Sequence, residues 1–131
     1  MDKLEYIPGD LVTNKYYTKV LIVKKTVKNM VYTQNRDAFS DTYLSHKDDV
    51  VPMLLTPDIL EKNGWKTQNR WYYYLDVAEG FISYIGINFK HKSNKGHLYV
   101  EVDRNNMVEI QYCHELQHFL FGLGLNSEME V

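Results

Sequence analysis

Four apolar runs parted by turn clusters shape the second half of the chain. WYYYL, FISYIGINF, HLYVEV and MVEIQY are separated by DVAEG, KHKSNKG and DRNN. Leu98, Val100 and Val102 alternate with Tyr99, Glu101 and Asp103, while Val108 and Ile110 alternate with Glu109 and Gln111. A strand sends successive side chains to opposite faces, so a period of two implies one covered face and one wetted face. Connections this short join antiparallel neighbours, and the pattern therefore predicts an antiparallel meander.

Helix chemistry flanks the meander on both sides. In LTPDILEKNGW, Thr56 can cap, Pro57 suits the first helical position, and Asp58 favours the positive end of the helix dipole. Asn63-Gly64 supplies a left-handed stop, which predicts a helix of about two turns. A second helix is predicted from Tyr112 to Leu123, lying over the covered face of the meander.

The first third reads as a small β module. Pro8-Gly9 forms a turn ahead of Leu11 and Val12, and TKVLIVKKTV and KNMVYT follow as strands around a tight turn near Lys28-Asn29. This opening resembles SH3-like and KOW-like small barrels. NRDAFSDTYLSHKDD has few consecutive apolar residues and reads as a loop or an irregular edge. The expected fold is α+β, with a small N-terminal SH3-like β module, a short linking helix, and an antiparallel meander capped by a C-terminal helix. Residues 1–50 make up the β module and residues 51–131 the α+β portion, packed as one compact unit.

Bulk properties narrow the function classes. At 131 residues with 44% apolar content, the chain can bury a real core. A net charge of −2 gives no global drive toward nucleic acid or anionic membranes. The single cysteine, Cys113, excludes an internal disulfide and fits a reducing cytoplasm. MDKLEYIPGD lacks the apolar core of a signal peptide, and no apolar run is long enough for a membrane span. A cytoplasmic protein without a membrane partner is expected.

One motif carries potential chemistry. His114-Glu115-Leu116-Gln117-His118 spells H-E-x-x-H, in which two histidines four apart can hold zinc and the glutamate can take a proton from bound water. Such a site also needs a third protein ligand. The extended version would place glycine and histidine where Phe121 and Gly124 stand, and only thirteen residues follow His118. At 100° per residue, Cys113, Leu116, Phe119, Leu120 and Leu123 define the apolar arc. His114 and His118 fall opposite its centre and would face solvent unless the N-terminal module covers them. The simpler reading, a packing helix without metal, is preferred; the alternative is a zinc hydrolase using His114, His118 and Glu115.

Two segments resemble a family of small uncharacterised proteins of gut anaerobic bacteria and their phages. Leu55, Thr56, Ile59, Leu60, Lys62, Gly64 and Trp65 match its P-L-T-E-E-I-L-x-K-x-G-F helix in residue or type. Tyr112, His114, Leu116, Gln117, Phe121 and Leu123 match its closing Y-V-H-x-L-Q-N-L-Y-F-A-L-T-G. The family form has asparagine where this chain has His118. The resemblance therefore implies a helix that does its work without metal, and a loose role as a mobile-element accessory protein.

Other residues are weaker candidates for binding. Lys24 and Lys25, with Lys19, Lys28, Tyr16 and Tyr17 nearby, could contact nucleic-acid phosphates, but a solvated strand whose lysines discourage edge pairing is the preferred reading. In NRWYYYLD, alternation sends Trp71 and Tyr73 to one face and Tyr72 and Tyr74 to the other, so one pair is core and the other could meet a partner. His91 and His97 flank a basic turn, and Cys113 reads as a small buried residue. Together these point to a non-catalytic protein acting on an unknown protein partner, with no cofactor. The alternatives are a zinc-dependent hydrolase and a nucleic-acid-binding module.

Overall fold

The computed structural model describes residues 6–79 and 82–131. The chain divides into two compact units, one built from residues up to 54 together with 112–129, the other from 55–111 together with 130–131. Among the described residues there are two antiparallel five-stranded sheets and two short α-helices.

The first sheet contains β1 (Leu11–Asn14), β2 (Val20–Val27), β3 (Met30–Asn35), β4 (Ala38–His46) and β5 (Val50–Pro52), in the order β4-β3-β2-β1-β5. A 3-10 turn at Lys47–Asp49 joins β4 to β5. Ahead of β1, the Asp10 N–H donates to the Ile7 carbonyl across Pro8-Gly9, and Gly9 has φ +96°. Proline followed by a positive-φ glycine is the chemistry of a tight turn, and here it delivers Asp10 to the head of β1. Tyr6, Val12, Leu21, Val23, Val31 and Val50 form the core, with Tyr43 packed against it. Of the two readings of NRDAFSDTYLSHKDD, a loop or an irregular edge, β4 takes the edge. It is a nine-residue edge strand, mostly exposed, so its sequence carries no alternation from which to read it.

In the second unit, α1 (Pro57–Lys62) begins with the Thr56 hydroxyl accepting from the Ile59 N–H. It ends with Gly64 at φ +83°, while the Trp65 N–H donates to the Leu60 carbonyl and the Gly64 N–H to that of Glu61. That double closure satisfies carbonyls that a helix end would otherwise leave open. A meander follows of β6 (Lys66–Thr67), β7 (Tyr72–Glu79), β8 (Ile82–Asn88), β9 (Leu98–Val102) and β10 (Asn105–Ile110), in the order β10-β9-β8-β7-β6. Tyr73, Ile85, Ile87, Leu98 and Val100 are its buried side. Of the turn expected in DVAEG, Asp76 to Glu79 belong to β7, and Gly80 and Phe81 lie outside the described residues, as do residues 1–5 of the N-terminal reading.

The last element, α2 (Cys113–Gly122), belongs to the first unit. The sequence pattern places this helix over the meander. In the structure its Gln117 side chain bonds to Gly9 and Leu11, so the polar side of the helix serves the backbone of the N-terminal segment. No helix among the described residues is long and apolar enough to cross a membrane.

Candidate functional site

All four polar residues of H-E-x-x-H lie in the first two turns of α2. Glu115 stands third in the helix. Its carboxylate accepts from the Tyr112 backbone N–H at 3.0 Å, which occupies one of the donors a helix start leaves open. Gln117 accepts from the Leu11 N–H at 3.0 Å and donates to the carbonyls of Gly9 and Ser127. It thus ties the helix to the start of β1 and to the chain beyond the helix.

His118 meets a carboxylate from the far end of the sequence. Its Nε2 lies 2.9 Å from each oxygen of Asp10, whose side chain is 2% exposed against 33% for His118. Asp10 also accepts from the Ile7 N–H at 2.8 Å. Burial raises the Asp10 pKa above the usual carboxylate value, and the Ile7 and His118 bonds pull it back down. Beside the pair is a recess of about 300 Å³ lined by Ile7, Gly9, Asp10, His118, Phe121 and Glu128.

His114 takes the second of the two arrangements the sequence left open, in which the N-terminal segment covers the histidine side of the helix. It is 1% exposed, with ring centroids 5.1 Å from Tyr6, 5.9 Å from Tyr112 in a stacked arrangement, and 5.5 Å from His118. Among the described residues, neither ring nitrogen has a hydrogen-bond partner. Burial lowers its pKa to about 4; Glu115 opposes that shift and His118 adds to it, leaving the ring neutral at pH 7. The helical arc alone cannot decide this because it ranks one covering surface; the segment around Tyr6 and Asp10 covers the second side. Cys113 is buried as expected, and burial pushes its thiol up to about 12, which removes it as a nucleophile.

A zinc hydrolase would need these groups in other roles. The general base would have to leave the Tyr112 N–H, and His118 would have to turn Nε2 from Asp10 toward a metal. Among the described residues no group of three His, Cys, Asp or Glu side chains is arranged to hold a metal ion.

The other candidates are scattered over the two units. Lys24 and Lys25 are exposed side by side because a bulge in β2 inserts Lys24 between Val23, opposite Thr33, and Lys25, opposite Tyr32. Trp71 and Tyr73 do not form a core pair. Tyr73 is buried and donates to Glu61, whereas Trp71 is half-exposed beneath Lys90 and beside His91. Tyr72 and Tyr74 do share the opposite face, and the register adds Tyr84, Tyr99 and Glu101 to it. Alternation within each strand shows these residues; only the pairing of strands brings them together.

At the centre of that face is Gly86, opposite Tyr74. A Cβ there would come 2.0 Å from the Tyr72 hydroxyl, so the absent side chain makes room for the phenol. Tyr72 donates to Glu101 at 3.1 Å, and burial, Glu101 and Tyr84 together hold its pKa well above the ordinary phenol value. No protein-family model, curated protein or solved structure matches the chain.

Proposed function

We propose that the chain is a non-catalytic accessory protein of the cytoplasm, in a phage or mobile-element setting, that acts by binding another protein. The observation that carries this reading is the internal engagement of the one motif with catalytic spelling. Glu115 caps its own helix, Gln117 and His118 latch that helix to residues 9–11, and His114 is a buried neutral ring. A hydrolytic site keeps its base and metal ligands available to substrate, whereas these groups are spent on the fold.

The N-terminal unit is read as SH3-like. Its strand order β4-β3-β2-β1-β5, the pairing of the last strand with the first, and a 3-10 turn before β5 support that reading. The protein contact is assigned to the tyrosine face of the second sheet. Tyrosines supply broad apolar area with a polar tip at little entropic cost, which suits recognition.

The test is affinity capture from a lysate of the organism that carries the gene, with wild type and a Tyr74→Ala/Tyr99→Ala double variant, each with and without chelator. The expected result is a protein held by wild type, released by the double variant and indifferent to chelator. Equal capture by both forms would reject the tyrosine face. Stoichiometric zinc in the purified protein, with a hydrolytic activity lost in His118→Ala, would reject the non-catalytic reading. Steeply salt-dependent nucleic-acid binding that weakens in Lys24→Gln/Lys25→Gln would favour the nucleic-acid module instead.

A further inference from the structure

We propose that the tyrosine face of the second sheet docks an arginine-bearing segment of the partner protein. This rests on the protein-binding reading above and names the chemistry of its partner. The register builds the face row by row. Tyr72, Asn88 and Tyr99 are aligned across β7, β8 and β9; Tyr74, Gly86 and Glu101 form the next row; Asp76 and Tyr84 begin the third. Four phenol rings therefore surround a central glycine, with carboxylates set among them.

Charge decides what such a floor would hold. Glu109 continues the first row on β10, opposite Tyr99; its side chain is 43% exposed, with Oε1 3.7 Å from Nδ1 of His97 and Oε2 further out. Lys66, which the pairing of β6 and β7 puts opposite Tyr74, is already bonded to Asp76 at 2.9 Å. Glu101 receives the Tyr72 hydroxyl on Oε1, and among the described bonds Oε2 is not engaged. A face with surplus carboxylates repels phosphates and acidic peptides and attracts cations.

Ring geometry favours arginine over lysine. A guanidinium can stack flat on a phenol while its N–H fork reaches a neighbouring carboxylate, and an ammonium cannot do both equally well. The Tyr72 phenol lies over Gly86, in the space a side chain there would fill, and its hydroxyl reaches Glu101, so one guanidinium stacked on that ring meets the carboxylate beside it. Tyr72 stays protonated and bonded to Glu101, which fixes that carboxylate before any partner arrives.

The experiment is isothermal titration calorimetry on the full chain with an alternating Arg-Gly peptide, and with Lys-Gly and Glu-Gly peptides of the same length. Expected are binding of the arginine peptide, weaker binding of the lysine peptide and none of the glutamate peptide. Glu101→Gln/Glu109→Gln should weaken arginine binding by roughly tenfold or more, as expected for losing charge-assisted bonds. Glutamine keeps an acceptor for Tyr72, so an unchanged circular dichroism spectrum certifies the fold. Lys24→Gln/Lys25→Gln should leave the affinity unchanged. Absence of binding to the arginine peptide, or equal binding by the glutamine variant, would overturn the proposal. Partner capture lost in Tyr74→Ala/Tyr99→Ala but unaffected by the glutamine pair would overturn the arginine assignment and keep protein binding. Capture unaffected by either pair would defeat both.

Discussion

The imidazole of His118 straddles the carboxylate of Asp10, 2.9 Å from each oxygen, across 108 positions of sequence. The pair closes the C-terminal helix onto the segment that enters the first strand. Asp10 is the buried partner and His118 the half-buried one, so the two ends of the bond have unequal costs when broken. Removing the histidine strands a carboxylate away from water, whereas neutralising the aspartate leaves a ring that can still reach solvent.

His118→Ala is therefore expected to destabilise the protein by about 2–4 kcal/mol, and Asp10→Asn by about half as much, because asparagine still offers an acceptor. Urea denaturation of the two variants checks the order. An Asp10→Asn variant less stable than His118→Ala would show that the carboxylate's bond to the Ile7 N–H outweighs its bond to this histidine.

His114 supplies a pH dependence of defined sign. Its pKa falls to about 4 in the folded chain from an ordinary 6.5, so between those values the unfolded chain binds the additional proton. Stability is complete above about pH 6.5 and drains as the pH falls toward 4, by about 3 kcal/mol over the whole interval. Asp10 acts the other way at the acid end. Burial raises its pKa above 3.8, so the native state takes up that proton first and part of the loss is recovered. His114→Leu should flatten the denaturation midpoint between pH 6.5 and 4.5. At pH 7 it should stay within about 1 kcal/mol of wild type, because it also removes two unpartnered buried nitrogens. A variant that keeps the full acid slope would assign the titration elsewhere.

What could be read in the sequence was local chemistry. The Pro8-Gly9 turn, the Thr56 cap and the alternation of Leu98, Val100 and Val102 each depend on residues within a few positions, and all stand where the pattern puts them. Burial of His114 stayed open in the sequence because a helical wheel ranks faces by apolarity; it is decided by Tyr6 and the Asp10 turn, which cover this polar side. Asp10 itself offered no sign of its role, since its partner comes from the other end of the chain. β4 lacked a pattern because solvent wets most of it. The tyrosine face required strand register, which spacing alone does not contain.

The stop of the first α-helix tests one of the readable elements. Gly64 holds φ +83°, a conformation that L side chains adopt at a cost, although none of the described residues would obstruct a Cβ there. Gly64→Ala should lower stability by about 1 kcal/mol through backbone strain alone, and Thr56→Ala by a similar amount through loss of the cap. The two sites act on opposite ends of α1, so differential scanning calorimetry of the double variant shows whether the short helix melts with the unit or separately.

Gly86 and Tyr72 form the sharpest pairwise test. A methyl at position 86 would meet the Tyr72 hydroxyl at 2.0 Å and the ring carbon bearing it at 2.6 Å, so the whole phenol must move aside. Moving it breaks the 3.1 Å bond to Glu101. Gly86→Ala should accordingly cost roughly 1–3 kcal/mol, although alanine alone is the better strand residue. Tyr72→Leu removes the obstacle and the bond together, and in that background Gly86→Ala should cost little or become stabilising. A double-mutant cycle by chemical denaturation reads the difference as coupling, expected at about 1 kcal/mol or more for groups in direct contact. Additive effects would mean that the phenol does not lie over the glycine, and the arrangement of Glu101 on that face would fall with it.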